Sequence, residues 1–164
     1  MAINAELEDL YISDKEDRQK YEQGKLSQID LQKCYKARMR RIRIILFTLD
    51  EKEIWNCHHA SYMILNSDNN YDYELAHEYA KKAIQMGSNV NKWLYAATLD
   101  RWLVSQGKKQ RYGTQFKKVK GKWQLLPVDE TVTDIERENY GVPPLHAALE
   151  HFQKKYSKFG EKVK

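Results

Sequence analysis

Breakers are scarce in this chain, and their positions cut it into segments of helical length. Seven Gly and three Pro occur in 164 residues, too few for a loop-rich or all-β protein, so long helices are the expectation. Asn4 suits an N-cap, acidic residues follow it in the first turn, and Gly24 closes the segment, which predicts a first helix from Asn4 to about Gln23. A second is predicted over about Ser27 to Leu49, with Leu31, Tyr35, Met39, Ile42, Ile45 or Leu46, and Leu49 on one face and its arginines mostly beside or opposite it. A third runs from about Glu51 to Leu65 behind Asp50 as cap. A fourth spans Tyr73 to Met86 between Asp72 and Gly87, and a fifth Asn91 to about Gln106, closed by Gly107.

The first helix breaks its own pattern. Leu7, Leu10 and Tyr11 form an apolar stripe, and helical spacing carries that stripe on through Asp14, Asp17 or Arg18, and Tyr21. Charge placed where the period calls for core must be paired or it destabilises the fold. A partner is therefore expected on another element. The same anomaly recurs in the fifth helix, where Trp93, Ala97 and Val104 share a stripe with Asp100, with Arg101 beside it.

After Gly107 the character changes. Phe116 to Val119 and Lys122 to Leu126 flank Gly121 and predict a short hairpin, stopped by Pro127. A short helix from about Thr133 to Asn139 follows, and Pro143–Pro144 can open a last helix from His146 to about Tyr156. The expected fold class is all-α: a bundle of about five main helices with a small β-hairpin insertion and a short C-terminal helical segment. One helical domain over residues 1–158 and a basic tail over 159–164 complete the expectation.

Composition excludes several classes. The N-terminal stretch has no apolar run of signal-peptide length, and the longest apolar run, Ile44 to Phe47, is far too short to cross a bilayer. Cys34 and Cys57 form no CxxC and have no companions, which argues against a disulfide framework or a cysteine zinc site. A cytoplasmic protein is expected, with no membrane partner. The net charge of +5 favours anionic partners, and Arg38, Arg40, Arg41, Arg43 and the lysines at 117, 118, 120 and 122 hold much of the excess. A solvated surface explains such a mild excess better than nucleic-acid binding does.

The densest chemistry lies in DRWLVSQGKKQRYGTQF, Asp100 to Phe116. Gln110, Arg111, Tyr112, Thr114 and Gln115 are threaded through Gly107 and Gly113. They offer amide, hydroxyl and guanidinium groups on a backbone that a ligand can approach closely. That inventory suits a carboxylate, phosphate, amide or sugar. It equally suits the satisfaction of backbone groups in an irregular loop crossing the end of a bundle.

The stretch from Tyr73 to Phe116 is also familiar as a pattern. Its A-x-x-Y-A-K-K-A-I at Ala76 to Ile84, its Asp100–Arg101 pair and its Q-R-Y-G-T-Q-F at Gln110 to Phe116 resemble a widespread uncharacterised protein family. That family is marked by an Asp-Arg helix end followed by Gln-x-Tyr-Gly-Thr-Gln. Leu10 to Arg18 (L-x-x-x-D-x-x-D-R) and Gly141 to Leu145 (G-V-P-P-L) resemble it too, so the likeness covers nearly the whole chain. The resemblance implies a mostly helical domain and no particular activity. Many relatives carry a Gln-His pair after the third helix, where this chain has Asn66 and Ser67; either the histidine is lost here, or His58 or His59 substitutes from one or two turns earlier.

Other constellations are poorer. His58 and His59 point about 100° apart on a helix and do not share a metal easily. His77-Glu78 lacks the second histidine of an HExxH site, and His146 and His151 are five residues apart. No metal site and no particular cofactor are indicated. No GxxxxGK[ST], GxGxxG or GxSxG occurs.

Three readings of function follow. The first is a hydrolase-like enzyme acting on a small molecule or peptide. In it Asp100, Arg101, His59 and Asp14 are catalytic candidates, and Arg18, Gln110, Tyr112, Thr114 and Gln115 bind the substrate. Asp14, Asp17 or Arg18 would then meet Asp100 and Arg101 in one polar network. The alternative is a helical protein–protein interaction module without catalytic activity. RNA binding through the hairpin and tail stands third, and nucleic acid is not the expected partner.

Overall fold

The computed structural model describes residues 2–67, 69–87 and 91–156. The protein is mostly helical with one small antiparallel sheet. In chain order its elements are α1 (Ala5–Glu22), α2 (Gln28–Leu46), α3 (Ile54–Leu65), α4 (Tyr71–Gln85), α5 (Lys92–Ser105), β1 (Phe116–Val119), β2 (Lys122–Leu125), α6 (Asp134–Asn139) and α7 (Leu145–Tyr156). Among the described residues no helix is long and apolar enough to cross a membrane. The tail expected over 159–164 lies outside the described residues.

The chain divides into two compact units, Met1–Ser88 and Asn89–Lys164. In the first, α3 packs on α1, α2 and α4, most extensively on α4. Nine of its twelve residues are buried. Alanines explain the closeness of the α3–α4 pair: Ala76, Ala80 and Ala83 are all enclosed, and the Ser61 hydroxyl of α3 reaches the Ala76 carbonyl at 2.8 Å. Leu7, Ile42, Met63 and Ile64 fill the rest of this core. Side-chain caps start the helices: Asn4 accepts from Leu7 N, and Ser27 from Asp30 N. Helix α3 starts three residues later than its sequence suggests. Glu53 rather than Asp50 caps it, and the Asp50 side chain instead closes a tight turn by accepting from Lys52 N at 3.0 Å.

The fifth helix belongs to the second unit. Its inward residues Ala96, Tyr95 and Leu99 pack with Tyr112, Val132, Tyr140 and Val142. Tyr140 stacks on Tyr95 and tilts against Tyr112, with ring centroids 5.2 and 4.8 Å apart. Strands β1 and β2 pair Phe116 with Leu125 and Lys118 with Trp123. Lys120 and Gly121 turn the hairpin with φ of 48° and 81°. Both values are left-handed, as a two-residue type I′ turn requires. Helix α7 covers one face: Phe116 stacks on Phe152 at 4.0 Å, and Trp123 meets the same ring edge-on at 5.0 Å.

Candidate functional site

In the second unit, Asp100 is fully enclosed within α5, and its carboxylate organises the loop that follows. Oδ1 accepts the backbone N–H groups of Arg111 (2.7 Å) and Tyr112 (2.8 Å). Oδ2 accepts the N–H of Thr114 (2.9 Å) and its hydroxyl (2.8 Å). Burial holds this carboxyl above the ordinary carboxylate range, and the four donors pull against that shift. Gln110 is as fully enclosed. Its amide nitrogen donates to the carbonyls of Gln115 (3.0 Å) and Leu126 (2.9 Å), and its amide oxygen accepts from Gln115 N (2.8 Å).

The remaining residues of the loop are engaged in the same way. Gln115 accepts from Arg101 Nε (3.1 Å) and donates to the Ala97 carbonyl and the Thr114 hydroxyl. Arg111 pairs with Glu136 at 2.7 Å, and Tyr112 is core. Gly113 has φ of 88°, a conformation that favours glycine, and a Cβ there would lie 3.3 Å from the end of the Leu145 side chain. Asp100, Arg101, Gln110, Tyr112, Thr114 and Gln115 are therefore brought together, as an assembly whose polar atoms largely serve one another.

In the first unit Asp14 is fully enclosed too, but what meets it is charge. Oδ2 accepts from Arg18 Nε at 2.5 Å and Oδ1 from Arg38 Nη2 at 3.1 Å. Arg38 also reaches Asp17 (2.7 Å) and the Ser13 hydroxyl (3.2 Å). The guanidinium of Arg38 holds the Asp17 carboxyl below its ordinary value. Arg38 comes from α2, where the sequence pattern set the arginines beside or outside the buried face; it is the partner that the charged stripe of α1 demanded. Each of the two buried carboxylates thus has hydrogen-bond partners from its own unit. Arg18 uses only Nε here. Its side chain is 31% exposed, and its two terminal amino groups make no hydrogen bond among the described residues.

Next to this pair lies the arrangement that the sequence understated. His58 and His59 are each only 4% exposed. Both nitrogens of His58 and Nδ1 of His59 are buried without a hydrogen-bond partner. Tyr11 stacks on His59 at 4.2 Å and meets His58 edge-on at 5.8 Å. Trp55 borders both imidazoles, and Tyr62 packs edge-on against Tyr11 at 5.0 Å. Lys15 sits over the Tyr11 ring, 5.2 Å from its centroid. Burial, then His58 and Lys15, push His59 down to about 4; burial and Lys15 also lower His58. Both shifts favour the neutral form of the rings.

Tyr11, Asp14, Lys15 and Arg18 stand at helical spacing on the side of α1 that meets α2 and α3. Arg18 is close enough to Tyr62 and Tyr35 to feel both phenols. One contiguous cluster therefore holds an anchored guanidinium with unused donors, phenols and two unpartnered imidazoles. Of the residues singled out from sequence, His59, Asp14 and Arg18 belong to it; His58, Tyr11, Tyr62 and Arg38 join them. Ser67 donates to Asp72 at 2.5 Å, and Asp72 pairs with Arg43. Among the described residues no group of three or more metal-ligating side chains is placed to hold an ion. Compared with family models, curated proteins and solved structures, the chain matches none.

Proposed function

We propose that the protein is a hydrolase-like enzyme for a small anionic molecule, and that its site is the Tyr11–Asp14–Arg18–His58–His59 cluster rather than the glutamine loop. The observation that carries this reading is the pair of buried imidazoles. Each buried polar atom left without a partner costs about 1–3 kcal/mol, and native proteins tolerate such costs chiefly where function needs them. Neutral imidazole can accept a proton from an attacking water. Arg18, held at Nε by Asp14, presents its two terminal amino groups to an anionic group of the substrate. Asp100 does not suit a base: its oxygens already accept four hydrogen bonds.

The family likeness, which we carry forward as part of the same proposal, takes on a physical meaning here. Asp-Arg and Gln-x-Tyr-Gly-Thr-Gln are the residues that fold the loop on α5, so a chain bearing them is marked by a way of building a loop. The test is a melting screen with inorganic phosphate, phosphate monoesters and small carboxylates, followed by turnover of p-nitrophenyl phosphate and acetate. The expected result is a ligand that stabilises the protein, by about 2.7 kcal/mol at a hundred times its Kd, and that Arg18→Gln no longer responds to. Turnover should vanish in His59→Gln. Equal responses from parent and Arg18→Gln would remove the site from the first unit.

An interaction module remains the second reading, favoured by one feature of the first unit. Phe47 and Tyr71 are both 90% exposed, and Ile29 and Ile44 are exposed as well.

A further inference from the structure

The hairpin of the second unit carries a different chemistry. From Arg101 to Val128 the chain has eight Lys and Arg and no Asp or Glu. Four of those cations, Lys117, Lys118, Lys120 and Lys122, lie on β1, β2 and the turn between them. All four are exposed, and none has an ion-pair partner among the described residues. Lys120 occupies a left-handed position that favours Asn, Asp or Gly. A cation is thus kept at the hairpin tip in a conformation that a lysine adopts at a cost.

An aromatic surface lies among these charges. Trp123 is half-buried, one side of it against Phe152, with the Lys118 ammonium 5.9 Å from its ring centroid. It lines an open cavity of about 570 Å³ together with Gly121, Lys122, Gln124, Leu149 and Gln153. That volume is of ligand-pocket size. By the register, Lys118 shares the face of Trp123, Lys117 and Lys122 lie on the opposite face, and Lys120 stands in the turn. Unpaired cations thus surround a partly exposed indole, which gives the two elements of a single-strand site: cations to follow the backbone and a ring to stack a base.

We propose that β1, β2 and the cavity beside α7 bind single-stranded nucleic acid, with a base on Trp123 and phosphates on Lys117, Lys118, Lys120 and Lys122. An acidic peptide would use the same cations but gain nothing from the indole. A duplex would offer phosphates but no unstacked base.

The test uses the full chain and fluorescence anisotropy of a labelled twelve-residue oligouridylate, titrated across salt. Equal-length duplex RNA and an oligoglutamate peptide serve as competitors. For three or four phosphates neutralised, the slope of log K against log salt is expected near −2 to −3. The single strand should outcompete both duplex and peptide. Replacing the four lysines by glutamine, all at exposed positions, should abolish binding without lowering the melting temperature. Trp123→Ala should weaken binding roughly 5- to 150-fold, the equivalent of about 1–3 kcal/mol for one stacked base; its fold is checked by circular dichroism. No binding at low salt overturns the proposal. So does binding that survives loss of the four lysines, or an oligoglutamate or duplex that competes as well as the single strand.

Discussion

Asp14 and Asp100 are both fully enclosed, yet Asp14 meets two guanidinium groups whereas every donor to Asp100 comes from the loop that closes over it. The difference is one of ownership. Three of the four donors to Asp100 are backbone N–H groups, fixed in number and direction by the loop, so its whole hydrogen-bonding capacity goes into holding residues 111–114 in place. The donors to Asp14 belong to long side chains with more nitrogens than the carboxylate can use. What is left over, the terminal nitrogens of Arg18, can act on something else. A buried carboxylate surrounded by main chain reads as architecture; one surrounded by arginines leaves room for binding.

The largest effect expected from breaking this contrast is at Asp100. Asp100→Ala leaves three N–H groups and a hydroxyl without their acceptor, and at about 1–3 kcal/mol for each buried orphan the loss reaches about 5 kcal/mol once the loop relaxes. Hydrogen exchange should show α5 and the 110–115 loop opening while α3 and α4 stay protected. No second substitution can restore the parent, because the orphaned donors are mainly backbone. If α5 kept its protection in Asp100→Ala, the carboxylate would not be the loop's anchor.

The first unit should behave differently in the same experiment. Asp14→Leu alone leaves Arg38 buried with half its charge partners gone, a loss of about 3–5 kcal/mol. Asp14→Leu with Arg38→Met removes both members and should recover most of that loss, since apolar replacements of buried ion pairs are often neutral. A double variant as unstable as the sum of the singles would erase the distinction between side-chain and main-chain neutralisation.

Acidification separates the units without any substitution. His59 binds a proton near pH 4 in the folded protein and near 6.5 when unfolded. The unfolded chain therefore takes up the proton first, so stability is complete above pH 6.5 and falls as pH drops toward 4. The span corresponds to about 3 kcal/mol. After burial and, for His59, after His58, Lys15 adds to the effect by opposing a positive charge on either imidazole. Asp100 acts with the opposite sign: a carboxyl raised by burial binds its proton more tightly when folded, so it contributes no loss over this window. Melting followed by exchange of α3 and of α5 from pH 7 to 4.5 should find the first falling and the second level or rising. His59→Phe should flatten the first.

How far this was legible in the sequence follows the same division. Local signals worked in part where a residue acts on its own neighbours: Asn4 caps α1 and the hairpin stands where its strands flank Gly121, whereas Asp50 gives way to Glu53 at α3 and Asp72 lies inside the first turn of α4. The anomaly at Asp14 was legible as a demand for a partner. The partner was not, because Arg38 sits on a helix whose other arginines are surface residues, and periodicity cannot say which of four arginines turns inward. Likewise the motif from Gln110 to Gln115 gives a list of donors and acceptors but not which of them satisfy each other. His58 and His59 could be read only as two neighbours on a helix. That both are enclosed by Tyr11 and Trp55 depends on how α1 crosses α3, which no local pattern encodes.

Arg18 gives the smallest expected effect on stability and the sharpest reading of the comparison. Its Nε bond to Asp14 is half of that carboxylate's compensation, but Arg38 remains, and the guanidinium keeps contact with solvent. Arg18→Gln should therefore cost about 1 kcal/mol or less, far below the losses at Asp14 or Asp100. If the leftover nitrogens of Arg18 are what the arginine-surrounded carboxylate makes possible, this variant should lose its thermal response to small anions while melting within a few degrees of the parent. Gln115→Ala supplies the mirror image, because its amide bridges Arg101, Thr114 and the Ala97 carbonyl: it should melt several degrees lower and keep whatever response to anions the parent shows. Exchanged outcomes, with Gln115→Ala stable but unresponsive and Arg18→Gln unstable but responsive, would return the site to the glutamine loop.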